Sequence, residues 1–221
     1  MGMSMGDLIT KEKIIEVLHW SYDKAVGGAM GTDSANEMAA EYMKQDGTLV
    51  EKVNSLIRWQ NTKAGAAGFV TGLGGFTTLP VAIPANLVSV LYLQIRMIAA
   101  IAKMGGHDLR SDKVRTLVLA CLAGDATMEI LRDVGVQVGK KAVQLAINKI
   151  SGAVITKINQ AIGFRLVTKA GSQGVVNLTK MVPFVGGVIG GAFDATVTNM
   201  IGNTARDIFI TGKIIDEVVE T

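Results

Sequence analysis

Residues 64–95, AGAAGFVTGLGGFTTLPVAIPANLVSVLYLQI, are thirty-two consecutive positions without a charged side chain, bracketed by Lys63 and Arg96. By count the run could cross a bilayer, since a spanning helix needs about 20 apolar residues in one unbroken rod. Its composition breaks the rod. Gly68, Gly72, Gly74 and Gly75 are followed by Pro80 and Pro84. Glycine adds backbone freedom, and proline removes a hydrogen bond and clashes with the preceding turn. The pattern predicts a short glycine-rich helix, a turn near residues 79–84, and a long helix to Met104 with Pro84 in its first turn. The remaining chain must then supply amphipathic helices to pack around this hairpin.

The chain of 221 residues, 49% of them hydrophobic, is enough for one domain over residues 1–221 with a sizeable core. Aromatics make up only 5%, against 26 glycines and 11 methionines, so the packing rests on aliphatic side chains and close helix contacts. The lone Cys121 lies in the apolar word LVLACLAG and reads as a buried, inert thiol. LITKEKIIEVLHW becomes charged where a secretory leader would be apolar, so the expected location is cytoplasmic.

Net charge is only +3, but it is unevenly distributed. Residues 1–62 hold nine acids against six bases. Residues 134–193 hold seven bases, Lys140, Lys141, Lys149, Lys157, Arg165, Lys169 and Lys180, and no acid. Such a segment points to an anionic partner, whether a membrane surface, a nucleic acid or an acidic protein face, unless the acidic N-terminal helices cover it. Lys141, Lys149, Lys157 and Arg165 are eight apart, which drifts about 80° per step on a helix and gives a spiral rather than a ridge.

Along the chain, Ile14, Val17, Leu18, Tyr22 and Ala25 recur at helical spacing over residues 10–26, before Gly27 and Gly28. Ser34 with Glu37, and Thr48 with Glu51, match the S/T-x-x-E capping box and fix two further helix starts. The third helix carries Val53, Leu56, Ile57 and Gln60 inward. Gly105, Gly106 and His107 close the long helix, and shorter helices follow from Ser111 or Asp112 and from about Asp125. Residues 138–162 form one or two helices, broken at Ser151 and Gly152.

A second glycine-rich element, MVPFVGGVIGGAF at 181–193, repeats the first on a smaller scale and is too short to span a bilayer. Gly186 and Gly190, like Ala64, Gly68 and Gly72, are four apart, a spacing that permits close helix approach. The two elements are expected to pack together at the centre of an all-α bundle. Asp194 follows the second element directly, in a helix that continues through Val197, Ile201 and Ala205, and a last helix covers 205–219. Arg96, in an apolar setting, needs a partner, and Asp194 is the carboxylate assigned to it, with Asp125 as the other candidate.

No reaction is visible. GLGGFT at 72–77 lacks the third glycine of the dinucleotide fingerprint, and GVQVGKK at 135–141 is one residue short of the P-loop and lacks its Ser or Thr. His19 and His107 have no carboxylate or cysteine at ligand spacing, so no metal site is expected, and neither are a cofactor or catalytic residues. His107 and Asp108 read as a surface turn. Between Lys140 and Lys180 the only aromatic is Phe164, which argues against specific nucleic-acid binding.

The words GFVTGLGGFTTLPVAIPANLVSVLYLQIRMIAAIAKMGGHD, LACLAG, KINQAIGFRLVTKAG and MVPFVGGVIGGAFDAT, in that order, resemble the EcsC family of bacterial proteins, over about residues 14–209. The resemblance implies a helical protein connected with export and secretion, with no catalytic residues to transfer. It also implies a structural role for Pro84, Asn86, Gln94, Arg96 and Asp194. The function expected is non-enzymatic, peripheral attachment to the inner face of the cytoplasmic membrane through the basic half and the glycine-rich hairpin. The alternatives are a soluble interaction module, such as a toxin-neutralising immunity protein or a transporter-associated subunit, and a carrier of an apolar lipid.

Overall fold

The computed structural model describes residues 11–28, 32–64, 85–133, 147–171 and 190–212. Both glycine-rich elements, apart from their ends, lie outside these residues, as does the expected packing between them. The described chain is all-α.

Helix α1, Lys11–Gly27, buries Ile14, Val17, Leu18, Tyr22 and Ala25, the stripe read from the sequence. Helix α2, Ala35–Met43, starts at Ser34, whose hydroxyl accepts from the Glu37 amide while the Glu37 carboxylate accepts from the Ser34 amide at 2.8 Å. Helix α3, Leu49–Ala64, starts in the same way: the Thr48 amide donates to Glu51 at 2.7 Å and the Thr48 hydroxyl accepts from the Glu51 amide at 3.3 Å. Each box satisfies amide donors that the first helical turn would leave orphaned.

Helix α4, Ala85–Met104, is the centre of the described structure. It packs against α1, α2 and α3 and against two helices further along the chain. From Tyr92 to Met104 only Leu93 and Lys103 reach solvent appreciably. A helix apolar nearly all round must be enclosed on every side to be stable. Arg96 lies within this enclosure, 3% exposed. Gly106, at φ +81°, turns the chain back, and the amides of Gly106 and His107 donate to Lys103 and Ala102 carbonyls.

Helix α5, Asp112–Ala120, runs into a tight turn at Cys121–Ala123, and α6 covers Ala126–Asp133. Residues 147–149 are helical, the chain breaks at 150–151, one residue ahead of the expected Ser151 and Gly152, and α7 runs Gly152–Gly171, beyond the expected limit at 162. Helix α7 packs on α1, α5 and α6 through Ile158 and Ile162.

Helix α8, Gly190–Arg206, packs along α3 and α4. It does not hand over to a new helix at Ala205. It widens into an i→i+5 turn at Asp207–Thr211 and stops at Gly212, which takes the left-handed conformation at φ 59°. The left-handed residue ends the helix by turning its backbone out of register, which sequence periodicity does not reveal. Residues 213–219 lie outside the described ones.

Candidate functional site

Three polar nodes and the exposed lysines of the basic segment are the candidates among the described residues. The first node lies where α4 meets the start of α2. Arg96 donates from Nη1 to the Asp33 carbonyl at 3.0 Å, and its guanidinium carbon sits 5.7 Å from the Tyr92 ring centroid, one helical turn away. The Tyr92 hydroxyl and Thr32 Oγ1 share a hydrogen bond of 2.5 Å. Arg96 Nε and Gln94 Nε2 are buried without a hydrogen-bond partner. The Asp194 side chain is outside the described ones, and Asp125, the other candidate partner, is exposed. The sequence anticipated that Arg96 needs a partner; a backbone carbonyl has no sequence signature and was missed.

The second node joins α1 to α5. Arg115 pairs with Asp23 at 3.0 Å, donates to the His19 carbonyl at 3.1 Å, and places its guanidinium carbon 5.0 Å from the Tyr22 ring centroid. The Tyr22 hydroxyl donates to the Leu109 carbonyl at 2.8 Å, and burial pushes its pKa far above the usual tyrosine value, so it stays a donor. His19 is pushed the other way, below its ordinary value, first by burial and then by the Arg115 charge. The inward place of Tyr22 was legible in the sequence but none of these contacts was, because α1 and α5 meet across some ninety residues and share no motif.

The third node corrects an expectation. His107 is not in a surface turn: it is 2% exposed, with Nε2 at 3.0 Å from the Phe209 carbonyl and its ring 5.3 Å from the Phe209 ring. A carbonyl can only accept, so Nε2 carries the proton and donates. Asp108 is exposed and accepts from the Arg110 amide, so the two neighbours do not form a reactive pair. The wide turn at 207–211 brings Phe209 back over the end of α4, a tertiary contact that no local pattern announces. Cys121 is fully buried and its thiol pKa is raised by burial, so it stays protonated and inert.

These nodes fasten helix to helix and offer no assembled nucleophile and base. Among the described residues no group of three or more His, Cys, Asp or Glu is placed to hold a metal ion, and no helix is long and apolar enough to cross a membrane.

The surface is the remaining candidate. Lys149 and Lys157 are solvent-exposed, with Thr156 and Gln160 beside Lys157 on the outer side of α7. Lys140 and Lys141 lie outside the described residues, and the side chains of Arg165 and Lys169, on α7, are outside the described ones too. Of the acidic N-terminal helices, α1 packs on α7, while α2 and α3 pack on each other, on α4 and, for α3, on α8. Where the structure describes the basic segment, it is open to solvent at Lys149 and Lys157.

The all-α architecture and the sequence words quoted for the resemblance meet in one comparison: the model of the EcsC protein family matches residues 7–210. The chain belongs to the EcsC protein family. In this EcsC protein the match takes in α1 to α8 and ends within the wide turn at residue 210. No curated protein and no solved structure matches it. What this EcsC chain offers is therefore read from its own geometry: exposed Lys149 and Lys157, and polar nodes that fasten α4 to the start of α2, α1 to α5, and the end of α4 to the wide turn.

Proposed function

We propose that this EcsC protein is a non-enzymatic protein that attaches peripherally to an anionic membrane surface at the cytoplasmic face, through the basic segment centred on α7. The observation that carries the reading is the exposure of Lys149 and Lys157 within sixty residues that contain no acid. A lysine or arginine near an anionic bilayer contributes about 1 kcal/mol, so four or five acting together hold a protein of this size at the surface. The attraction is screened within about 10 Å at ordinary salt, which makes attachment salt-dependent.

Flotation with vesicles tests this. The purified chain should float with mixed phosphatidylcholine and phosphatidylglycerol at low salt, stay behind with phosphatidylcholine alone, and be released by high salt. Reversing Lys140, Lys141, Lys149 and Lys157 to Glu should abolish flotation. Unchanged flotation of that variant would refute the electrostatic basis of the reading.

A further inference from the structure

The described residues expose three large hydrophobic side chains, Met43, Val50 and Trp59, all on α2 and α3. Their charged surroundings differ. Met43 and Val50 flank the α2–α3 turn among the exposed acids Glu41, Asp46 and Glu51, which an anionic surface would repel. Trp59, 51% exposed, lies in a second acid-free stretch: from Lys52 to His107 there is no Asp or Glu, and of its bases Arg58 and Lys103 are exposed while Arg96 is buried.

The orientation of Trp59 is fixed by the helix that carries it. Val53, Leu56, Ile57 and Gln60 are buried on the inner side of α3, so Arg58 and Trp59 are held on the outer side. Four residues after Trp59 the chain passes Lys63 and enters the uncharged run 64–95, which carries no charge to hold it off an apolar medium. Indole is amphipathic and prefers the headgroup boundary of a bilayer, where its ring is sheltered and its N–H stays wet.

We infer that the C-terminal end of α3 is a second membrane contact, with Trp59 seated at headgroup depth in an anionic bilayer. This rests on the membrane reading above and adds an apolar anchor to it. The basic segment supplies long-range attraction, and Trp59 supplies a contact that salt does not screen. The order of events follows: charge brings the chain to the surface, and the indole then lengthens its stay.

The chain has two tryptophans, so Trp20→Phe leaves Trp59 as the sole indole. The full-length variant is mixed with vesicles of phosphatidylcholine, alone or with phosphatidylglycerol, and its emission is recorded with and without brominated lipid. The expected result is a blue shift and bromine quenching with the mixed vesicles only. In the native background, Trp59→Ala should weaken partitioning roughly tenfold, about the worth of half an indole removed from water. The difference between the native chain and Trp59→Phe gives the same spectrum should Trp20→Phe disturb the fold. Flotation with unmoved emission and no quenching overturns the inference and leaves the attachment through α7 standing. No flotation at all overturns both. A blue shift on concentrating the protein without lipid also overturns it, because a second copy of the chain then covers Trp59.

Discussion

Gly202 of α8 faces Ile57 of α3 so closely that a Cβ built on the glycine would lie 2.8 Å from Ile57 Cγ1 and 3.0 Å from its Cγ2. Two branches of one stiff side chain are met at once, so no rotamer change relieves the clash. Gly202→Ala should destabilise the fold by about 1–2 kcal/mol, the overpacking penalty exceeding the gain in helix propensity. Adding Ile57→Val should recover part of the loss in a denaturant-melt double-mutant cycle. Additive effects would show that α3 and α8 do not approach at this point.

Arg96 is held by a backbone carbonyl and an aromatic face. Arg96→Ala should cost roughly 3 kcal/mol, because it removes a buried stem, the ring contact and a charged hydrogen bond together. Arg96→Met keeps the stem and removes the cost of burying a charge, so it should cost less than half as much. Equal losses in urea melts would mean that the charge, rather than the stem, holds α4 against α2.

His19 has its pKa lowered in the folded protein, so the unfolded chain binds its proton first as pH falls. The stabilisation is fully present above the ordinary value of 6.5 and is lost as pH falls from there through the lower folded value. Melts between pH 7.5 and 5 (roughly the window around the ordinary histidine value) should show stability falling with pH. The slope should flatten in His19→Gln. A slope unchanged by that substitution would assign the proton uptake elsewhere.

Ser34 and Thr48 each close a reciprocal cap. Ser34→Ala and Thr48→Ala should each cost about 1 kcal/mol, and the double variant about the sum, since the two caps belong to different helices. Hydrogen exchange should show the first-turn amides of α2 and α3 opening separately.

The caps were legible in the sequence because donor and acceptor lie three residues apart, within reach of one local pattern. The inward stripes of α1 and α3 were legible for the same reason. The close glycine contact was not: spacing by four drew attention to Gly68, Gly72, Gly186 and Gly190, while the glycine that meets a neighbour among the described helices is Gly202, which has no such companion. Close approach is a property of a pair of surfaces, and a sequence shows only one of them. His107 was misread because GGHD is locally polar, whereas its burial depends on Phe209, 102 residues later. Arg96 was half legible, since its neighbours told of burial but nothing told which carbonyl would face it. The basic surface was legible as charge; its exposure at Lys149 and Lys157 needed the fold.

The enclosure of α4 also bears on how the chain is made. Helices α1, α2 and α3 lie before it in the sequence, so a growing chain already carries most of its seat when Met104 is added. The flank covered by α8 has to wait until residues from Gly190 onward emerge. Through that interval the nascent protein holds the most apolar of the described helices half wrapped, a hazard of aggregation that belongs to synthesis and ends when α8 closes over it.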